Sequence, residues 1–96
     1  MNVMKITAKS NPNLAAGAIT AAVREGGYAE LQAQGAGAIN QAMKAIATAN
    51  TFLAPADLQL CCQPCLTETE EDGATRTTVR LLIKAIPLDP PFFPVY

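Results

Sequence analysis

Two periods alternate through the first half of the chain. Residues 3–8 (VMKITA) place Met4, Ile6 and Ala8 on one side and Val3, Lys5 and Thr7 on the other. That period of two predicts a strand with one buried face. Ser10-Asn11-Pro12-Asn13 then opens a helix: Asn11 can cap it, and Pro12 suits the first helical position, where no N–H is needed. Ala15, Ala18, Ile19, Ala22 and Val23 recur at helical spacing until Gly26-Gly27, where glycine enters the left-handed C-cap conformation at little cost. Residues 28–34 return to a period of two, with Leu31 and Ala33 inward and Glu30, Gln32 and Gln34 outward. After the Gly35-Ala36-Gly37 turn a second helical stripe follows: Ile39, Ala42, Met43, Ile46, Ala49 and Leu53, with Asn40, Gln41, Lys44 and Thr48 opposite. Pro55 stops it. Residues 58–67 and 75–86 read as two further strands around a Glu-Glu-Asp-Gly hairpin.

The order β-α-β-α-β-β makes both helices crossovers between strands, and right-handed crossovers place them on the same face. The expected fold is therefore an α/β two-layer sandwich, a four-stranded mixed sheet under two helices. Residues 1–86 would form one domain, followed by a Pro/aromatic tail, 87–96, that cannot extend the sheet far. The uncovered sheet face would carry Lys5, Thr7, Glu30, Gln32, Gln34, Gln59, Gln63, Thr78, Arg80 and Lys84.

Charge changes this picture in one place. Seven basic against eight acidic residues give −1 overall. However, Glu68, Glu70, Glu71 and Asp72 cluster at the hairpin, leaving seven basic residues against four acidic ones elsewhere. The hairpin tip is thus a solvated acidic point on a mildly basic body. Half the residues are apolar, enough for one core. The N-terminal stretch lacks the apolar run of a signal peptide and no segment reaches membrane-spanning length, so the cytoplasm is the expected location. Histidine is absent and the three cysteines lie within five positions, so neither acid–base catalysis nor a disulfide framework is expected. Cys61, Cys62 and Cys65 lack a fourth ligand for a structural zinc, and Cys62 and Cys65 would point to opposite faces of their strand. They read as small buried hydrophobes. No metal, no cofactor and no enzymatic activity are expected.

One edge stands out chemically. Two parallel strands bring the loops after them side by side, together with two helix N-termini and their partial positive charge. That edge would gather Lys9, Ser10, Asn11, Asn13, Gly35, Gly37 and Asn40, with Lys44 one turn into the second helix. No carboxylate occurs in residues 5–23 or 31–56. Gly35-Ala36-Gly37 lacks the third glycine of a dinucleotide fingerprint, because Asn40 stands in its place, and on the motif alone a close strand–helix turn explains it better than a phosphate loop does.

The strings Ile6-Thr-Ala-Lys-Ser-Asn-Pro-Asn13, Ala15-Ala-Gly-Ala18 and Glu30-Leu-Gln-Ala-Gln-Gly-Ala-Gly-Ala-Ile-Asn-Gln-Ala-Met-Lys-Ala45, with Asp72-Gly73 and the last strand, carry a resemblance over about residues 3–86. The chain resembles the stage V sporulation protein S family. The resemblance implies a small non-enzymatic regulator with a fold like that of the Alba chromatin proteins, which bind DNA or RNA as dimers. Those proteins use a basic loop after strand one, the turn before helix two and the hairpin. Lys9 fits the first. The glycines of the turn replace arginines, and the hairpin is acidic where it should meet phosphate. The expected function is regulatory nucleic-acid binding, DNA or RNA, through backbone phosphates at Lys9, Ser10, Gly35, Gly37, Asn40 and Lys44. The alternative is a protein–protein adaptor using the open sheet face or an oligomer surface. A homodimer or higher homo-oligomer is expected, held partly by Phe92, Phe93 and Tyr96 of the tail.

Overall fold

Local chemistry sets most element boundaries in the computed structural model, which describes residues 3–92. The order is β1 (Val3–Ile6), α1 (Pro12–Gly26), β2 (Tyr28–Ala33), α2 (Ala36–Leu53), β3 (Leu58–Glu71) and β4 (Ala74–Pro87). Strand β1 ends two residues before its alternation does, because Thr7–Ser10 close a turn. Ser10 N–H donates to the Thr7 carbonyl (3.0 Å), and Thr7 N–H to Ser10 Oγ (2.9 Å). Asn11 caps α1 through Oδ1, which accepts from the N–H groups of Asn13 and Leu14, with Pro12 in the first turn. Gly27, at φ 85°, closes the helix. Helix α2 stops at Leu53, and Pro55 sits in the short 3-10 turn that follows, Ala54–Ala56.

The sheet runs β1-β2-β4-β3, with β1 parallel to β2 and the other pairs antiparallel. It is the two-layer α/β sandwich the pattern predicts, with both helices packed on one face. Ile19, Leu31, Leu53 and Ile83 are its largest fully buried side chains. Ile6, Val23, Leu81 and eight alanines complete the core, and the small alanine side chains let the helices approach the sheet closely.

Both helical stripes sit slightly off the predicted faces. In α1 Ala16 is buried and Ala18 exposed; in α2 Ala38 and Ala45 are buried and Met43 exposed. An alanine-rich helix shows little contrast between its faces, so the packing partner decides the rotation.

The hairpin is longer than expected: Glu68, Glu70 and Glu71 are strand residues, and the turn is Asp72-Gly73 alone. Both turn residues have positive φ, 53° and 76°, as a two-residue hairpin turn matching strand twist requires. Strand β2 pairs with β4 only as far as Ala33↔Val79. The last five residues of β3 and the first five of β4 therefore form an arm of about 17 Å at the usual rise per residue. It projects past the C-terminal ends of β1 and β2, and the molecule measures 48 × 22 × 22 Å.

Candidate nucleic-acid interface

The two loops expected to lie side by side are in contact. A Cβ added at Gly37 would lie 2.9 Å from Ala8 Cβ, so only a glycine lets α2 start this close to the loop after β1. Gln41 Nε2 donates to the Ser10 carbonyl (2.8 Å), tying the first turns of α2 to the same loop. The loop also orders itself, since Lys9 N–H donates to Thr7 Oγ1 (3.2 Å).

The two helix N-termini are chemically different. Asn11 occupies that of α1. At α2 the cap residue is Gly35 (φ 87°), no side chain caps the helix, and its first turn holds no acid. Its first amides are oriented donors at the positive end of the helix.

Of the predicted residues, Gly37 meets the loop after β1 at Ala8 and Ser10 meets α2 through Gln41, while Gly35 caps the helix they adjoin. Ser10 Oγ already accepts from Thr7 N–H, so its role is partly to shape the loop. Lys9 and Asn40 are exposed beside this junction. Lys44 is a correction: it is the ninth residue of α2, about 12 Å along the axis from Ala36 and more than one turn in. It lies nearly in line with Gly37, seven positions earlier, because seven residues make almost two turns. Among the described residues the ion pairs are Glu30–Arg80 and Glu71–Arg76, so Lys5, Lys9 and Lys44 have no carboxylate partner.

A family model described as Stage V sporulation protein S matches residues 2–86. The chain belongs to that family. It is thus a small sporulation-related protein, and the Gly-Ala-Gly junction built above lies inside the matched stretch.

The open face of this family member is less open than its polarity suggests. Residues in register across paired strands share a face, which puts Glu30, Gln32, Lys5, Arg80, Lys84, Gln59 and Thr78 opposite the helices. Yet Glu30, Gln59 and Thr78 are 2%, 5% and 4% exposed. Alternation predicts the face of a side chain and says nothing of what covers it. Arg80 lies over Glu30 as a bidentate partner (2.8 and 2.9 Å), and Gln32 Nε2 adds a third hydrogen bond (3.1 Å). Those bonds, the one from Arg80 first, hold the Glu30 carboxyl below its ordinary value. Thr78 Oγ1 receives Gln34 Nε2 (2.7 Å). Gln59 donates to the Pro87 and Pro90 carbonyls and accepts from Phe92 N–H. The tail therefore folds back on its own sheet as far as Phe92, which is itself exposed. Phe93 and Tyr96, expected to help hold an oligomer, lie outside the described residues.

The cysteines are not core. Cys62 is exposed, and Cys61 and Cys65 are half-buried; the register puts Cys61 and Cys65, opposite Lys84 and Arg80, on the sheet face away from the helices. Cys62 pairs with Ile83 and Cys65 with Arg80, so the two point to opposite faces. Desolvation beside the sheet pushes the Cys62 thiol up, away from thiolate chemistry. Among the described residues, no helix is long and apolar enough to cross a membrane.

The arm brings in a feature that sequence reading missed. Glu71 lines a concavity of about 270 Å³ on the open face together with Lys5, Ile6, Thr7, Ala8, Gln32 and Gln34. The acidic arm thus rises at the same end of the molecule as the Lys9 loop.

Proposed function

We propose that the chain is a non-enzymatic regulator that binds DNA or RNA through backbone phosphates, acting as a homodimer in the cytoplasm. The observation that carries this reading is the junction of the uncapped α2 N-terminus with the Lys9 loop, held by Gly37 against Ala8. Oriented amides, an unpaired ammonium and the absence of acid from both segments suit a phosphate. The acidic arm beside it limits the affinity. Two to four phosphates neutralised per subunit give micromolar binding or weaker, so a second copy is needed to make it useful. Lysines without a guanidinium fork add little discrimination at the phosphates themselves. A mobility shift with DNA and with RNA at low salt tests the reading: salt-sensitive retardation that weakens on Lys9→Ala with Lys44→Ala supports it, and no retardation at any protein concentration contradicts it.

The adaptor reading rests on a different surface. Met43 and Leu66 are 43% and 76% exposed, and Cys62 and Pro64 are exposed on the same strand and face as Leu66. Binding to a protein partner there would be indifferent to salt.

A further inference from the structure

Lys9 is tied down on both sides of itself in the chain. On one side is Ala8, whose Cβ would lie 2.9 Å from a Cβ added at Gly37. On the other is Ser10, whose carbonyl accepts from Gln41 Nε2 (2.8 Å). Gly37 and Gln41 are four positions apart in α2, so they share one face of the helix. The loop's internal hydrogen bonds serve a different purpose. Ser10 N–H returns to the Thr7 carbonyl, Thr7 N–H to Ser10 Oγ, and Lys9 N–H to Thr7 Oγ1. They shape the turn without reaching α2. The Gly37 contact lets the loop come close but has no direction, whereas the Gln41 bond is directional and sets how the loop sits on the helix.

The chemistry required at position 41 is narrow. The Ser10 carbonyl can only accept, so its partner must donate. Glutamate has the same length but, ionised, could only accept, and it would add a negative charge next to Lys9. No carboxylate occurs in residues 31–56. Glutamine donates without charge, and it is half-buried, where a carbonyl left unmet costs more than in open water. We infer that Gln41 is a positioning residue for Lys9: it holds the Ser10 carbonyl so that the Lys9 ammonium is presented at the start of α2 before any ligand arrives. The inference rests on the phosphate reading and adds to it the residue that makes Lys9 effective. Without this tie the loop has to be ordered during binding, and that cost is subtracted from what Lys9 contributes.

The test is a double-mutant cycle in the full chain, Gln41→Met against Lys9→Ala, read as affinity for one DNA duplex and one RNA single strand at several salt concentrations. Methionine is close to glutamine in length and helix propensity and offers no donor. In the unsubstituted chain Lys9→Ala should weaken binding and take about one unit from the log–log salt slope. Gln41→Met should weaken binding roughly threefold to tenfold, the cost of ordering the loose loop. In that background Lys9→Ala should cost much less, the coupling expected of two groups that act as one. A Gln41 that only stabilised the fold would lower the melting point without this coupling. Gln41→Asn keeps the amide but falls one methylene short of the carbonyl, so it should behave as Gln41→Met does and separates lost reach from a packing fault of methionine. An equal cost of Lys9→Ala with and without Gln41 overturns the positioning role while the phosphate reading stands. No binding of the unsubstituted chain to either nucleic acid at low salt removes both.

Discussion

Gly37 and Glu30 show how differently single residues can be read. Asn11, Pro12 and Gly27 were legible in the sequence because capping is settled within three or four positions. Gly37 was legible as a turn residue, but its reason is a contact with Ala8, 29 positions away. Gly37→Ala should cost a net ~1–2 kcal/mol, since the clash with a rigid Cβ outweighs the small gain in helix propensity. Ala8→Gly in the same chain should restore most of the loss, and urea unfolding of the two single variants and the double variant measures that coupling. Glu30 was assigned to the correct face and to the wrong environment, because its cover comes from Arg80, 50 positions later. Its carboxyl value is lowered in the fold from 4.5. The stability it confers is therefore complete above that pH and is lost as the pH falls through the lowered value. Glu30→Gln should be less stable at neutral pH, and its urea midpoint should fall less steeply below pH 4.5 than that of the unsubstituted chain.

Elements were legible wherever two signals agreed. Both helices and all four strands follow from periodicity bounded by Pro, Gly or Asn. What escaped was how far β3 and β4 run beyond the sheet, since charged and threonine-rich strands resemble solvated loop. The outward backbone of β3 is closed to strand addition by local devices. Asn50 Oδ1 accepts from Leu60 N–H (2.9 Å), Pro64 has no N–H to offer, and Glu68 and Glu70 repel a like strand. The sequence points to the tail as part of an oligomer contact, and in the fold Gln59 clasps its first part with three hydrogen bonds. Removing residues 88–96 leaves that buried amide short of two partners, at a cost of about 1–3 kcal/mol. A melting point lowered by several degrees is the expected readout.

Across the whole molecule, topology did most of the predictive work. A parallel β1–β2 pair forces the two loops to one end, and that end is where the Ala8–Ser10 loop meets Gly37 and Gln41 of α2. The arm rising over the same end was not foreseen, because no short-range signal says where a hairpin points. It places Glu71 within the concavity that Lys5 and Thr7 line, so the end proposed to take phosphate also carries an acidic group that opposes it. Charge reversal on the arm, Glu70→Lys with Glu71→Lys, should strengthen nucleic-acid binding by about tenfold if each lysine adds one phosphate contact at low salt. The most direct test of the phosphate junction is the salt dependence of binding to one duplex and one single strand. The log–log slope should be shallow, roughly −2 to −4, and should lose about two units of slope in the Lys9→Ala, Lys44→Ala chain, with affinity lowered alike for every sequence. Binding whose strength and slope are unchanged in that double variant, or no binding at low salt, would contradict it.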